Sequence, residues 1–212
     1  MILLLGSNGS MGKRYQAILK HLGVSYLPIE YGDEIPRIIF EGTIIATPTD
    51  THQGLIKRFY DRPILCEKPI CKSLSELNDT LDFVRDNNIH FTMMNQYSIL
   101  DDPLRTGPTI YDYYNTGKDG IYWDCLQVIG LARTTVEVRN KSPFWDCTLN
   151  GRKITLEEIN WAYVDFVKKW LTFKKFQSLD YLREIHYRTY KYANANEGFD
   201  RNTGPLNVQQ VS

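Results

Sequence analysis

Short apolar runs alternate with longer amphipathic segments through the N-terminal half of the chain. The apolar runs predict buried strands, at 1–5, 24–29, 43–46, 63–66 and 89–94. The amphipathic segments predict helices, at 11–21, 51–60 and from Ser73 onward, where Ser73 and Glu76 have the spacing of a capping box. Residues 30–42 have room only for a turn and a short strand at 37–40. Strands and helices in this alternation are typical of a parallel sheet with helices on both faces.

The second half of the chain has a different pattern. Residues 98–118 show no regular pattern, 121–131 predict a helix, and 134–139, 144–149 and 153–154 predict strands. Asn150-Gly151 is a tight-turn dipeptide between the last of these strands, so we expect an antiparallel sheet. Closing helices are predicted after the capping-box residues Thr155 and Glu158 and over 178–193, followed by a polar tail from 194.

The overall composition excludes several classes of protein. Basic and acidic residues balance at 25 each, which argues against a nucleic-acid-binding protein. No apolar run approaches the roughly 18 residues of a membrane-spanning helix. The run 1–5 has no positive segment before it and stops at Gly6, so a first strand is favoured over a signal peptide. The cysteines lack metal-ligand or disulfide spacing and predict free thiols in a reducing cytoplasm: Cys66, Cys71, Cys125 and Cys147.

The first candidate site is the glycine-rich turn after the N-terminal apolar run. The turn consists of Gly6, Ser7, Asn8, Gly9, Ser10, Met11 and Gly12. A buried strand that runs into glycines and then into a helix presents bare backbone N–H groups to a phosphate. The spacing differs from the plain G-x-G-x-x-G fingerprint, because Ser7 stands where its first glycine would fall. We interpret the turn as phosphate-binding, and Lys13 and Arg14 either add charge there or form a solvated first helical turn.

An acidic residue after the second predicted strand is a candidate for binding the adenosine ribose of a dinucleotide. Glu30 and Asp33 both stand at a suitable separation from the glycine turn. An acid at this place favours NAD over NADP. The strand register decides between the two residues, and the sequence leaves both open.

A polar segment, 47–52 (Thr-Pro-Thr-Asp-Thr-His), follows the predicted strand 43–46. Ligands of open parallel sheets bind beyond the carboxyl ends of the strands. The functional interpretation is that Thr47 and Pro48 line the nicotinamide side of a cofactor. The alternative is an ordinary turn in which Asp50 or Thr51 caps the next helix. His52, taken alone, is expected to be a surface histidine rather than a catalyst.

Lys68 is the main candidate for a catalytic group. It follows the strand 63–66 and stands between Glu67 and Pro69. Proline fixes its own φ and pushes the preceding residue into an extended conformation, so Lys68 is held on stiff backbone. An ammonium group beside a cofactor can assist the proton of a substrate hydroxyl. The alternative is a surface lysine before a proline.

These motifs together resemble the glucose–fructose oxidoreductase, inositol dehydrogenase and rhizopine-catabolism family (Gfo/Idh/MocA). The motifs that carry the resemblance are 9–14 (Gly-Ser-Met-Gly-Lys-Arg), 45–48 (Ile-Ala-Thr-Pro) with His52, and 67–69 (Glu-Lys-Pro). Residues 95–97 (Asn-Gln-Tyr) look like the family's Asn-x-Arg-aromatic segment. The resemblance covers residues 1–97 well and continues weakly to the end of the chain.

The resemblance implies an α/β protein with an N-terminal Rossmann-like domain over 1–97. A reduced α+β domain over 98–212 would support substrate and oligomer contacts. The implied activity is NAD(P)-dependent hydride transfer between nicotinamide and a hydroxyl or carbonyl of a sugar, nucleotide sugar or cyclitol. Lys68 would be the catalytic lysine. NAD or NADP would contact the turn 6–12 together with Glu30, Thr47, Pro48, His52, Glu67, Lys68 and Asn95.

The sequence also departs from the family pattern. The family's second proton-handling pair, His-x-x-x-Asp or His-x-x-Asp, is expected within 119–125, where Tyr122 stands in the place of the histidine and Asp124 is close to that of the aspartate. Tyr122 and Asp124 are therefore predicted partners of Lys68, with a packed aromatic residue and a helix-surface acid as the alternative. The crossover helix after the second strand is nearly absent and the second sheet is narrow, which leaves open whether the chain forms a homo-oligomer.

Because of these departures from the family pattern, two other functions remain as alternatives. One is a non-catalytic dinucleotide- or sugar-binding protein on the same fold. The other is a structural or interaction module that has kept the fold and lost the cofactor.

Overall fold

The computed structural model describes residues 1–113, 126–140 and 146–195. The fold divides into two compact units. The first unit consists of Met1–Met94 and Val164–Arg183, and the second consists of Asn95–Tyr163 and the chain from Glu184. The first unit therefore draws on separate stretches of the sequence. The domain boundary after residue 97 stays a prediction.

A parallel sheet of five strands forms the centre of the first unit. Its strands are β1 (Ile2–Leu5), β2 (Tyr26–Ile29), β3 (Gly42–Ile45), β4 (Ile64–Cys66) and β5 (Phe91–Met93), in the order β2-β1-β3-β4-β5. All residues of β1, β3, β4 and β5 are buried, as the continuous apolar runs require of strands covered on both faces. The predicted parallel sheet is confirmed.

The link between β2 and β3 differs from the prediction at one point. Residues 30–41 contain neither helix nor strand, so the missing crossover helix is confirmed and the short strand predicted at 37–40 is wrong. The apolar pair that suggested this strand, Ile38 and Ile39, is exposed to solvent, and only Phe40 turns inward. An apolar run too short to pair with a neighbouring strand cannot be told from a loop by its composition.

Helices follow β1, β3 and β4 in the first unit. They are α1 (Ser10–His21), α2 (His52–Arg58) and α3 (Leu74–Asp86), close to the predicted ranges. Helix α1 buries Tyr15, Ile18 and Leu19 on one face. The hydroxyl of Ser73 accepts the N–H of Glu76 at 3.2 Å, which confirms Ser73 as the cap of α3, whereas the Glu76 carboxylate accepts the N–H of Lys72 at 3.3 Å.

A mixed sheet of four strands forms the centre of the second unit. Its strands are β6 (Thr109–Tyr113), β7 (Val136–Asn140), β8 (Cys147–Leu149) and β9 (Arg152–Ile154), in the order β7-β6-β8-β9. Strand β6 pairs with β7 in parallel and with β8 in antiparallel fashion. The expectation of an antiparallel sheet is therefore wrong for β6 and β7. The irregular interpretation of 98–118 is wrong as well over 109–113, where the buried acid Asp112 interrupts the apolar pattern of this central strand.

The remaining helices of the chain are two short ones and two long ones. They are α4 (Tyr97–Leu100), α5 (Leu126–Ile129), α6 (Leu156–Phe173) and α7 (Leu179–Ala195). Helix α5 lies within the helix predicted at 121–131, of which 121–125 is outside the described residues. Both predicted closing helices are confirmed. Thr155 and Glu158 form the predicted reciprocal cap, with backbone N–H groups donated to side-chain oxygens at 2.8 and 3.2 Å.

The cysteine thiols that the structure describes are buried. Cys66, Cys71 and Cys147 are free and buried, whereas Cys125 lies outside the described residues. Burial raises the pKa of Cys71 to about 11 and that of Cys147 to about 12, so these thiols are protonated and unreactive at neutral pH. Among the helices that the structure describes, none is both long enough and apolar enough to cross a bilayer.

Candidate cofactor and catalytic site

The carboxyl ends of β1 and β3 mark the switch point of the parallel sheet. Strand β2 lies on one side of β1, and β3 lies on the other. Ligands of open parallel sheets bind in the crevice at such a point. The glycine turn leaves β1 here, and the Thr47-Pro48 loop leaves β3. The Ala46 N–H donates to the carbonyl oxygen of Leu5 at 2.9 Å, which keeps the two segments side by side.

Gly6 and Gly12 are glycines because the backbone leaves no room for a side chain. Gly6 has φ +77°, and a Cβ atom there would lie 2.7 Å from the carbonyl oxygen of Ala46. A Cβ atom on Gly12 would lie 2.1 Å from the carbonyl oxygen of Gly6. The first turn of α1 therefore packs directly on the backbone of the glycine turn, as it does in dinucleotide-binding folds.

The N-terminus of α1 is open to an anion. Gly9 is the N-cap residue and supplies no capping side chain, and the first turn of α1 contains no acidic residue. A Cβ atom on Gly9 would lie at ordinary distances of 3.5 and 4.0 Å from the carbonyl oxygens of Gly6 and Ala46, so packing does not require glycine at this position. The N–H groups and partial positive charge at the end of a helix suit a phosphate.

The carboxylate of Glu30 lies against the glycine turn. Its Oε1 atom accepts the hydroxyl of Ser7 at 2.7 Å and the N–H of Asn8 at 2.5 Å. The carboxylate of Asp33 instead accepts the backbone N–H of Glu30 at 2.7 Å and so supports the loop. Of the two acids that the sequence offered, Glu30 is thus the one that reaches the turn.

The Thr47-Pro48 loop is closed by its own side chains. The hydroxyls of Thr47 and Thr51 lie 2.7 Å apart, and the Thr51 hydroxyl donates to the carbonyl oxygen of Pro48 at 2.7 Å. Thr51 is the N-cap residue of α2, but its side chain makes no capping hydrogen bond. The interpretation in which Thr51 caps the helix is therefore wrong, because its hydroxyl shapes the loop instead.

His52 is buried, so the expectation of a surface histidine is wrong. Its side chain is 1% exposed, and its Nδ1 and Nε2 atoms lie 2.9 Å from the carbonyl oxygens of Pro69 and Thr47. Burial lowers the pKa of His52, against the opposing effect of these carbonyls. The histidine ties the loop after β3 to the loop after β4, since it contacts the backbone of both. The sequence could not show this, because the contact depends on the pairing of β3 with β4.

Glu67 and Lys68 follow β4 at the same edge of the sheet. Glu67 is 5% exposed, and its Oε1 atom accepts the phenol of Tyr15 at 2.6 Å, whereas its Oε2 atom accepts the backbone N–H of Lys68 at 3.2 Å. Burial raises the pKa of Glu67, and the Tyr15 hydrogen bond and the Lys68 charge act against this rise. Lys68 itself is half-buried. Tyr15 is a functional candidate that sequence reasoning missed, because it read only as part of the apolar face of α1.

For three of the predicted site residues, the role in this site stays a prediction. Asn95 is buried at the start of the second unit, where its carbonyl oxygen accepts the hydroxyl of Ser98 at 2.7 Å. Tyr122 and Asp124 lie outside the described residues. Within the described residues, no group of three or more histidine, cysteine and acidic side chains is arranged to bind a metal ion.

Solved structures with the same fold are found by structural comparison. They include a myo-inositol dehydrogenase from Corynebacterium glutamicum, with 14% identity, TM-score 0.66 and coverage of 99% of both chains. A scyllo-inositol dehydrogenase from Lactobacillus casei, solved with NAD(H) and scyllo-inositol, matches with 12% identity, TM-score 0.65 and coverage of 97% of this chain and 98% of that one.

A third structural match carries the family name that the sequence motifs suggested. It is a Gfo/Idh/MocA family oxidoreductase from Vibrio cholerae, with 10% identity, TM-score 0.60 and coverage of 89% of this chain and 94% of that one. No family model matches the sequence, and no curated protein matches it. At these identities the matches confirm the Rossmann-type fold and the resemblance to this family at the level of fold.

Proposed function

We propose that this protein is an NAD(P)-dependent oxidoreductase that transfers hydride between nicotinamide and a hydroxyl or carbonyl group of a cyclitol, sugar or nucleotide sugar. The observation that carries the proposal is the shared position of three groups at one edge of one sheet. These are the open N-terminus of α1, the Glu30 carboxylate on the glycine turn, and Lys68 after β4. Similar folds in solved dehydrogenases, one of them with NAD(H) and scyllo-inositol, support it.

The glycine turn fits the pyrophosphate and ribose of a dinucleotide. The close packing at Gly6 and Gly12 brings bare backbone to the surface of the crevice, and the uncapped helix end offers N–H groups to the pyrophosphate. The Glu30 carboxylate, which now accepts Ser7 and Asn8, is in place to accept ribose hydroxyls. Thr47 and Pro48 would line the nicotinamide side, held by His52.

Lys68 is suited to the proton side of the reaction. A bound nicotinamide supplies or accepts the hydride. The Lys68 amine would hydrogen-bond the reacting oxygen, stabilise negative charge on it and pass its proton. Tyr122 and Asp124 remain its proposed partners. A small polyol is the proposed substrate, and a homo-oligomer is compatible with the proposal without being required by it.

The proposal is tested by mixing the pure protein with NAD or NADP and a panel of cyclitols, hexoses and nucleotide sugars. We expect nicotinamide reduction with at least one member of the panel, because the proton-handling and phosphate-binding groups share one crevice edge. Saturable cofactor binding without turnover on the whole panel would instead establish the non-catalytic alternative.

Glu30 is expected to select NAD over NADP. Its carboxylate accepts ribose hydroxyls but repels a 2′-phosphate, so wild type should bind NADH more tightly than NADPH. Glu30→Gln should weaken NADH binding about tenfold, because a hydrogen bond to a charged group contributes roughly 1.5–3 kcal/mol. The variant should also bind NADH and NADPH with more similar affinities than wild type does. The matched control is Asp33→Asn, which changes the other nearby acid.

Nicotinamide fluorescence titrations of these three proteins measure the effect. Equal losses of NADH affinity in Glu30→Gln and Asp33→Asn would contradict the assignment of the ribose contact to Glu30.

A further inference from the structure

Tyr15 connects helix α1, which begins at the glycine turn, to the segment after β4 that carries Lys68. It lies on α1, the helix that begins at the glycine turn, and it is fully buried. Its phenol donates to the Oε1 atom of Glu67 at 2.6 Å, across 52 positions of sequence. The neighbour of Glu67 in the chain is Lys68. A single side chain therefore connects the helix that would bind the pyrophosphate to the residue that would bind the substrate.

The Glu67 carboxylate is held at both of its oxygens. Tyr15 occupies Oε1, and the backbone N–H of Lys68 occupies Oε2 at 3.2 Å. The backbone N–H of Glu67 donates to the carbonyl oxygen of Ile45 at 2.9 Å, which fixes the main chain here to β3. The position of the carboxylate is thus determined from α1, from β3 and from Lys68 itself.

Stability alone gives no reason for a carboxylic acid at this position. Burying a carboxylate is costly, and replacing buried ionic groups by apolar residues is often neutral or stabilising. Burial raises the pKa of Glu67, and the Tyr15 phenol and the charges of Lys68 and Arg14 act against this rise. The two hydrogen bonds of the carboxylate therefore indicate a role in positioning its neighbour in the chain, Lys68.

We propose that Tyr15 is a positioning residue for Lys68, acting through the buried carboxylate of Glu67. The phenol orients the Glu67 carboxylate, and this carboxylate accepts the backbone N–H of Lys68 and so fixes the main chain from which the amine extends. This inference rests on the proposed function for its catalytic consequence. Its physical content, the coupling of Tyr15 to Glu67 and Lys68, can be measured without any substrate.

The test uses Tyr15→Phe, which keeps the ring and removes the hydroxyl. The matched control is Tyr26→Phe, which removes a phenol that donates to Gln16 on the same helix at 3.3 Å. NMR of protein labelled at the glutamate side-chain carboxyl follows Glu67, whose signal is the one lost in Glu67→Gln. The titration midpoint of Glu67 should move to higher pH in Tyr15→Phe, because the charged form loses a donor, and it should stay unchanged in Tyr26→Phe.

A second readout is the rate at which an amine reagent modifies Lys68, with the exposed Lys72 as an internal reference. In Tyr15→Phe the Glu67 carboxylate keeps only one of its two donors, so the half-buried Lys68 is held less firmly and should react several-fold faster than in wild type. The rate at Lys72 should not change. With a substrate that the enzyme turns over, the kcat of Tyr15→Phe should fall about tenfold or more with little change in KM, because a misplaced Lys68 amine slows the chemical step.

The outcomes separate this inference from the proposed function. A lower melting temperature of Tyr15→Phe with unchanged Glu67 titration and Lys68 labelling would overturn the inference and leave a structural role only. If Tyr15→Phe does not fold, Glu67→Leu decides, because it removes the acceptor of both the Tyr15 phenol and the Lys68 backbone N–H. Faster Lys68 labelling supports the inference, and an unchanged rate overturns it. Absence of NADH binding by wild type would instead count against the proposed function.

Discussion

Lys68→Met is expected to lower turnover by a factor of about one hundred to ten thousand, the range typical of a lost general acid or base. Methionine keeps most of the length of the lysine side chain and removes the amine. Lys68 follows a buried strand and is attached to Glu67 and Pro69, both of which are fixed by buried side chains, Tyr15 and His52. The backbone at this point should therefore keep its position in the variant.

The measurement compares kcat and the NADH dissociation constant of wild type and Lys68→Met on the same substrate. Affinity for NADH should change little, because the pyrophosphate and ribose contacts are made elsewhere in the site. Lys72→Met is the matched control, an exposed lysine just beyond Pro69, and its turnover should equal that of wild type. Full turnover in Lys68→Met would show that the proton is handled by another group.

Much of the first unit was predictable because its strands are buried on both faces. Apolar runs such as 1–5 and 43–46 are not interrupted by charged residues, so they are recognised as buried strands. Each run is followed by a glycine or proline that ends it. The same reasoning made the glycine turn and Lys68 candidates, since both follow such strands. Local signals of this kind also gave the capping residues Ser73 and Thr155.

What the sequence did not reveal depends on pairings distant in the chain. The burial of His52 and the Tyr15–Glu67 hydrogen bond follow from the neighbouring positions of β1, β3 and β4, which no local pattern encodes. The choice of Glu30 over Asp33 required the exact end of β2. Strand β6 was missed because a buried acid, Asp112, interrupts its pattern.

Gly9→Asp is expected to abolish dinucleotide binding without loss of stability. A Cβ atom at this position makes only ordinary contacts, and aspartate is among the favoured N-cap residues, so the fold should tolerate it or gain from it. Its carboxylate would accept the N–H groups at the start of α1 and would repel a pyrophosphate placed there. Gly9→Asn is the matched control, because it fills the same cap without the charge and should retain more affinity.

The most direct test of the account is a titration of wild type, Gly9→Asp and Gly9→Asn with NADH, following nicotinamide fluorescence and thermal stability together. We expect saturable binding and ligand-dependent stabilisation of wild type, as linkage requires, and neither in Gly9→Asp despite an unchanged or higher melting temperature without ligand. Failure of wild type to bind NADH or NADPH at millimolar concentration, or equal binding by wild type and Gly9→Asp, would contradict the assignment of the glycine turn as a dinucleotide site.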